Sequence, residues 1–468
     1  MDMQKVNNKN FQKDIIKEKS YSEIVDYLAA RRYMDYDKNV LSRMIKLNNI
    51  FNDISSQLDI ALVGGTNGKS LTIHFASKVL QEEGVKIGSL YSSNFLNYNE
   101  QISIDGEAIS NKEFTDSLNK VINVVELNDI NATTFEILII ASLLYFKSKN
   151  VDFVFLEVGL GGKYDATNFC NPIISVVTRV AQDHSEILGN DLEQITDHML
   201  EISRPNSWFI SAEQSKIRLQ RMKNYIEQER NAKWVMPIRK LASLPYIYEQ
   251  LYGRAASLGE RIAQIYIEDI KGKFSPFLKG NLLATQKGQR GRPTLELKRQ
   301  AELNPIKTLK TFWNEQFNLL KGRFELLDKE KPAVLLDCAD NLDAFTNLFL
   351  GIRLLHYQHP LRGLVLIIGL SKFVEAKEVL KLIRYLFKKV SGQVFFVPLE
   401  NDNESQNVND LFLLAKEMGI KSKFFSSLDK AFNCAQEIVH EREGLICITG
   451  SNDQVSNYWQ NKGIKKLK

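Results

Sequence analysis

Short runs made almost wholly of apolar residues recur along the chain at 59–65, 153–159, 174–180, 333–339, 364–370, 393–399 and 445–450. They are rich in Val, Ile and Leu and lack polar alternation, so each predicts a strand of a parallel sheet covered on both faces. The segments 343–357, 374–390, 407–418 and 428–440 separate the last four runs and place apolar residues at three- and four-residue spacing, which predicts amphipathic helices. Strand and helix in alternation make the last third a doubly wound domain of its own. The longest apolar window, 137–146, is well short of the ~20 residues that span a bilayer and predicts a buried core helix. Between about 218 and 317 the strand signals thin and the sequence turns polar and basic. That stretch predicts a helical or irregular insertion followed by a connection, with a domain boundary near Asn318: 1–317, including amino-terminal helices, and 318–468.

The length of 468 residues accommodates two or three domains of roughly 150 residues each. A net charge of +5 excludes a polybasic nucleic-acid coat, and 44% hydrophobic with 25% charged residues excludes global disorder and a membrane bundle. Cys170, Cys338, Cys434 and Cys447 contain no CxxC pair. They suit neither a zinc site nor a disulfide framework, and a reducing cytoplasm is the expected location. The amino-terminal residues alternate polar and charged types without the apolar core of a signal peptide, so no export is expected.

The strongest local signal is Ile60-Ala-Leu-Val-Gly-Gly-Thr-Asn-Gly-Lys-Ser70, followed by Leu71, Phe75 and Val79 on one helical face. A strand, a glycine turn, Lys-Ser and a helix form an arrangement whose backbone N–H groups and helix amino end hold phosphates. Gly65, Thr66, Asn67 and Gly68 would form the cradle, Lys69 would reach the terminal phosphates and the Ser70 hydroxyl would face magnesium. The general eight-residue pattern requires a glycine where Val63 stands, so this is a shorter variant of the loop. Nucleotide binding is the expectation, against a plain strand–helix turn with Lys69 solvated on its rim.

Gly-Thr-Asn-Gly-Lys resembles the phosphate loop of the Mur ligase superfamily, and later blocks resemble its folate branch, the folylpolyglutamate synthases and dihydrofolate synthases. Tyr91-Ser-Ser-Asn-Phe-Leu96 is similar to that branch's Tyr-Thr-Ser-Pro-His-Leu, and the block from Asn99 to Glu107 to its Glu-Arg-Ile segment ending in Gly-Glu. Thr134-Phe-Glu136 and Leu156-Glu-Val-Gly-Leu-Gly-Gly-Lys-Tyr-Asp-Ala-Thr-Asn168 are the most specific stretches. Asp183-His184, Gly322-Arg-Phe-Glu325 and Ile448-Thr-Gly-Ser451 complete the series. The fold this implies is α/β: a P-loop-containing ATPase domain with a mostly parallel sheet, then a smaller doubly wound Rossmann-like ligase domain.

The resemblance implies an ATP-dependent ligase that adds L-glutamate to a folate or to dihydropteroate through an acyl phosphate. ATP would be co-substrate and Mg²⁺ the cofactor. Phosphorylating a carboxylate with a polyanion requires charge neutralisation, so the chemistry calls for a metal, a lysine and an arginine. By resemblance, Ser93, Glu157 and His184 would be the magnesium ligands, and Lys69, Glu157, His184 and Arg323 the catalytic set. Arg323 and Asp337 would reach the nucleotide from the second domain, while Phe135 and Asp165 would contact the pterin. Taken without the resemblance, Ser93 reads as a turn serine, His184 as a structural histidine and Asp165 as a turn cap. The expected partners are small molecules only, with no membrane, no nucleic acid and a monomeric chain.

Several positions depart from the family pattern. Met199 stands where the family has a lysine that is carbamylated and helps hold a second metal; a thioether cannot be carbamylated and is a poor magnesium ligand, so a second metal site would need His198 or Glu201 in its place. Asp340 replaces a histidine in Asp337-Cys-Ala-Asp-Asn-Leu342. A His-Gln-x-x-Asn block that reaches the adenine has no clear counterpart, Lys279-Gly-Asn-Leu-Leu-Ala-Thr-Gln286 being the nearest text. The stretch from Lys279 to Gln300 is densely basic and contains Arg290-Gly-Arg-Pro293, the core of a minor-groove A·T hook; a solvated loop, or one that attracts an anionic folate tail, is expected there instead. These losses keep open a second reading, a degenerate relative that binds nucleotide or folate with little ligase activity. A cell-wall precursor ligase of the same superfamily is disfavoured by the Glu-Val-Gly-Leu-Gly-Gly and Gly-Arg-Phe-Glu blocks.

Overall fold

The structure is a computed structural model and describes residues 18–32, 39–279, 307–399 and 405–465. Eight strands make the first sheet: β1 (Ile60–Gly64), β2 (Ile87–Leu90), β3 (Ile102–Ile104), β4 (Glu107–Ala108), β5 (Phe153–Glu157), β6 (Ile174–Val177), β7 (Trp208–Ser211) and β8 (Lys233–Trp234). Their order is β4-β3-β2-β5-β1-β6-β7-β8, parallel from β2 to β8 with β3 and β4 antiparallel at one edge. The second sheet contains β9 (Glu325–Leu327), β10 (Ala333–Leu336), β11 (Leu364–Ile368), β12 (Gly392–Phe396), β13 (Ser422–Phe424) and β14 (Leu445–Thr449). It is ordered β13-β12-β11-β14-β10-β9, and only β9 runs antiparallel. This is the α/β class expected, with two mostly parallel sheets.

Each central strand is buried on both faces, which is why its sequence is a continuous apolar run. In β1, Ile60 and Leu62 enter the core on one face of the sheet while Ala61 and Val63 enter the core on the other. The helix Thr134–Ser148, which contains the apolar window 137–146, covers the first face; Thr133 caps it by accepting the Glu136 N–H. The helix Lys69–Glu82 covers the second, burying Leu71, Phe75 and Val79 as their spacing predicts. In the second sheet Leu335, Leu366 and Ile368 face one core, and Leu336, Val365 and Ile367 the other.

The stretch expected to be a helical or irregular insertion is largely helical where it is described, and it packs as a layer on the first sheet. Its helix Tyr246–Gln264 packs along the helix Lys69–Glu82, closely enough that a Cβ on Gly259 would stand 2.7 Å from the Ala76 backbone nitrogen. The helix Leu309–Gln316 buries Phe312 and Trp313 in the same core. Residues 280–306, with Arg290-Gly-Arg-Pro293 and most of the basic stretch, lie outside the described residues. Among the described residues no helix is long and apolar enough to cross a membrane.

Candidate active site

A parallel sheet offers its ligand crevice at the carboxyl ends of its strands. Val63 lies level with Glu157 and Gly64 with Val177, so the turn leaving β1 begins between the ends of β5 and β6. Gly65 has φ +126°, and a Cβ there would fall 2.1 Å from Thr178 Oγ1; Gly68 has φ +87° at the start of the helix. Both positions demand glycine, the second through its backbone alone. The chain leaving β6 props the turn: Thr178 Oγ1 donates to Asn67 O (2.8 Å), and Thr66 N–H donates to Arg179 O (2.7 Å). The first N–H groups of the helix Lys69–Glu82 have no intrahelical acceptor, and Gly68, Lys69 and Ser70 line a cleft of about 600 Å³.

Lys69 Nζ donates to Gly65 O at 3.0 Å, so the ammonium lies over its own loop. Ser70 Oγ donates to Glu157 Oε1 (3.0 Å) and Ser92 N–H to Oε2 (3.4 Å). Glu157 is 3% exposed. A carboxylate has about four acceptor sites, so these two bonds leave capacity for a cation. Ser93 and His184 line the same cleft. Hydroxyl and carboxylate oxygens beside one imidazole are chemically suited to a hard divalent cation. His184 does not sit at a strand end: β6 stops at Val177, and His184 starts the short helix Ser185–Leu188 at φ +46°, with Nδ1 3.4 Å from Glu186 Oε1. Among the described residues no group of three or more His, Cys, Asp or Glu is set to hold a metal.

The opposite wall comes from the second sheet. Arg323 lines the cleft, and its side chain makes no hydrogen bond or ion pair among the described residues. Its backbone is held on both sides: Gly322 N–H donates to Glu325 Oε2 (2.9 Å) and Phe324 N–H to Asp337 Oδ2 (2.8 Å). Asp337 also accepts from Ala339 N–H, so both its oxygens brace the turn that presents Arg323. Burial pushes the Asp337 carboxyl up to about 6, with the Arg323 guanidinium opposing that rise. Tyr252, on the helix Tyr246–Gln264, lines the cleft beside this pair, and burial and the Asp337 charge hold its phenol well above the ordinary range.

The two walls touch directly. Asn67 of the glycine loop donates to Asn341 Oδ1 (3.0 Å) and Asp343 Oδ2 (2.9 Å), Asn341 Nδ2 returns a bond to Asn67 Oδ1, and Arg179 pairs with Asp343 at 2.7 Å. Sequence reasoning missed Thr178, Arg179, Asn341 and Asp343; each is polar next to a strand end or at a helix start, a signal too common to single them out. Asp340 accepts from Asn341 Nδ2 (3.1 Å) and so orients that amide.

The remaining expected residues lie elsewhere or take other roles. Asp165 is buried and accepts from the N–H groups of Gly159, Leu160 and Thr167 at 2.9 Å each and from the Thr167 hydroxyl. It closes the Gly159–Asp165 turn, and Phe135 packs against Gly159 in the same place. Met199 is buried with Ile195, Leu200 and Ile202. Neither proposed substitute reaches the cleft: Glu201 is held by Arg230 and by Tyr225 Oη (2.9 Å), and His198 lies beside Tyr164. Burial, then Lys163, lowers the His198 pKa. The block expected at Lys279 to Gln286 is not described beyond Lys279; the wall facing the second domain carries Gln250 and Arg254 of the helix Tyr246–Gln264 instead.

Residues 63–242 match the Mur ligase middle domain. A dihydrofolate synthase/folylpolyglutamate synthase of Bacillus subtilis is 41% identical over 138 residues, 28% of this chain and 32% of that protein. The chain thus spans about a third of that relative's length. One from Buchnera aphidicola subsp. Schizaphis graminum is 25% identical over 86% of this chain and 87% of its own. The crystal structure of a bifunctional folylpolyglutamate synthase/dihydrofolate synthase from Yersinia pestis, complexed with AMPPNP and Mn, has the same fold, with a TM-score of 0.70 at 20% identity over 95% of this chain and 98% of that one. With the sheet order and the glycine loop, these matches make residues 63–242 similar to a Mur ligase middle domain and give the chain the fold of the Yersinia structure.

Proposed function

We propose that the protein is an ATP- and Mg²⁺-dependent ligase that joins L-glutamate to the carboxyl group of a folate or of dihydropteroate. One observation carries this reading. Lys69, Ser70 and Glu157 from one sheet and Arg323, without a side-chain partner among the described residues, from the other line a single cleft. A partly buried guanidinium that makes no hydrogen bond or ion pair among the described residues suits a ligand rich in phosphate oxygens. AMPPNP and Mn, bound in the Yersinia structure, fit the same chemistry.

In this mechanism the turn from Gly65 to Gly68 and the helix N–H groups receive the nucleotide phosphates, and Lys69 exchanges its carbonyl contact for a terminal phosphate oxygen. Glu157, Ser93 and His184 would hold the magnesium ion, which neutralises phosphate charge as the acceptor carboxylate approaches. Arg323 stabilises charge on the transferred phosphoryl group from the opposite wall. The acceptor carboxylate oxygen bonds to the γ-phosphorus as ADP leaves; the glutamate amine then attacks the acyl carbon, and the carbon–oxygen bond to phosphate breaks. Asp337 acts through Arg323 by bracing its turn. Phe135 and the Asp165 turn are proposed as the pterin side, with Asp165 shaping the turn and Phe135 offering the ring face. The same proposal includes domains at 1–317 and 318–468, supported by Trp313 in the first core and β9 in the second sheet, a reducing cytoplasm, in keeping with four free cysteines, and a monomeric chain.

The test is incorporation of radiolabelled glutamate by the pure protein with MgATP, offering dihydropteroate and tetrahydrofolate in parallel. Label in either product supports the proposal and names the acceptor. Nucleotide binding without incorporation in either lane refutes it in favour of a degenerate relative.

A further inference from the structure

The loop that carries Ser93 is clamped to the turn that carries Arg323. A Cβ on Gly322 would stand 2.6 Å from Phe95 Cζ and 2.8 Å from Cε1, so the phenyl ring occupies the space where a side chain at 322 would project. Ser456, on the helix Asn452–Asn461 of the second domain, donates to Phe95 O at 2.9 Å. Phe95 and Leu96 pack on the apolar cluster that includes Leu336, Cys338 and Val455. Each partner is also held by hydrogen bonds within its own domain. Glu100 Oε2 accepts from Phe95 N–H (2.8 Å) and Leu96 N–H (3.2 Å), while Glu325 and Asp337 hold the N–H groups of Gly322 and Phe324.

We propose that Phe95 is a positioning residue, whose ring on Gly322 sets the spacing between Ser93 and Arg323 across the cleft. Ser93 lies two residues before the ring, and Arg323 directly follows the glycine beneath it. The loop it resembles has histidine at this position; a phenyl ring offers substrate no polar atom, and here it serves the contact between the domains. Separation of the domains would withdraw Arg323 and release the Ser93 loop together, so the site is complete only when the ring is seated. The inference rests on the ligase reading for its kinetic consequence but on the Phe95–Gly322 contact alone for its structural one.

Two measurements test it. In the glutamate-incorporation assay, Phe95→Ala is expected to lower kcat by about 10–100-fold, the scale of an ångström-level misplacement, while ADP affinity at the glycine loop stays within about threefold of the parent. Phe95→Leu, which keeps an apolar contact, is expected to retain most of the activity. Gly322→Ala is expected to be at least as slow as Phe95→Ala, since its Cβ meets the ring at 2.6 Å and its φ of +66° strains any side chain; the double variant is expected to lose less than the product of the two single losses, because removing the ring relieves the collision though not the strain. Losses that multiply in the double variant, or a Phe95→Ala enzyme with parental kcat, overturn the proposal. The second measurement needs no turnover: spin labels on Cys434 and on a Leu127→Cys variant report the distance between domains with AMPPNP bound. Broadening of that distance in Phe95→Ala supports the clamp, and an unchanged distribution overturns it. If the parent protein incorporates no glutamate, the ligase reading fails and the distance measurement still decides the clamp.

Discussion

Replacing Arg323 by alanine removes the second domain's cation from the cleft and leaves its turn intact, because Asp337 and Glu325 hold backbone N–H groups and not the guanidinium. The guanidinium makes no hydrogen bond or ion pair among the described residues that the substitution would break, only its attraction to nearby acidic groups, Asp337 among them, so its main work is expected on the ligand. Loss of one preorganised charge stabiliser costs about 2.7–4 kcal/mol, or roughly 10²–10³ in kcat. The value belongs near the upper end if the guanidinium forms two parallel bonds to phosphate oxygens, and Arg323→Lys then separates charge from geometry. A lysine keeps the charge and loses the planar fork, so it is expected to fall between the parent and the alanine variant. The assay is ADP release, coupled to a spectrophotometric readout, at saturating MgATP, glutamate and acceptor. If the interaction belongs to the transition state, kcat and kcat/KM fall together; a rise in KM at constant kcat would mean that Arg323 only binds ground-state nucleotide. A folded Arg323→Ala protein with kcat within about threefold of the parent would refute the assigned role.

Three further outcomes follow from the geometry. Asp337 has a folded-state pKa raised to about 6 from an ordinary 3.8, so its contribution to stability is greatest below about pH 4 and is lost as pH rises through 6. That gap corresponds to ~3 kcal/mol, and urea midpoints of Asp337→Asn are expected to lack this decline. Gly65→Ala forces a Cβ to 2.1 Å from Thr178 Oγ1 at φ +126° and is expected to cost about 1–3 kcal/mol in thermal stability and to abolish nucleotide binding by calorimetry. Because Met199 cannot be carbamylated and neither His198 nor Glu201 lines the cleft, turnover is expected to be the same in bicarbonate-free and bicarbonate-supplemented buffer; a stimulated rate would mean that another amine carries the carbamate.

The central strands and the glycine turn were readable from the chain because their physics is local. Two-sided burial forces a continuous apolar run, and positive φ at Gly65 and Gly68 forces glycine. Glu157 was readable as an acid closing such a run. β2 and β7 were not: Ile-Gly-Ser-Leu and Trp-Phe-Ile-Ser are too short to show a period, and Gly88 weakens the first while being required where the Phe146 ring presses to 2.8 Å from its would-be Cβ. The helix Tyr246–Gln264 is legible only as part of a helical or irregular stretch, without its bounds. Its Gly253 and Gly259 lower helix propensity, yet they permit the close approach to Leu241 and Ala76 that holds the helix against the nucleotide side of the sheet. In sequence Met199 stands only as a lost metal ligand; its burial gives it a place in the core. Asp165 bears out the plain chemistry of a turn aspartate: four hydrogen bonds occupy its carboxylate. The contacts between the walls, Asn67 with Asn341 and Phe95 with Gly322, join residues more than two hundred positions apart and leave no periodic trace in the sequence.

The claim at the centre of this account is that an acceptor carboxylate is activated by ATP in the cleft between Lys69 and Arg323. Its most direct test is oxygen transfer from a substrate carboxyl group labelled with ¹⁸O, whether dihydropteroate or tetrahydrofolate. Phosphorylation of the carboxylate followed by attack of the glutamate amine moves one labelled oxygen into inorganic phosphate, which mass spectrometry detects in proportion to the amide formed. Unlabelled phosphate accompanying amide formation would contradict the acyl-phosphate route, and ADP release with neither label transfer nor amide would contradict the ligase assignment itself.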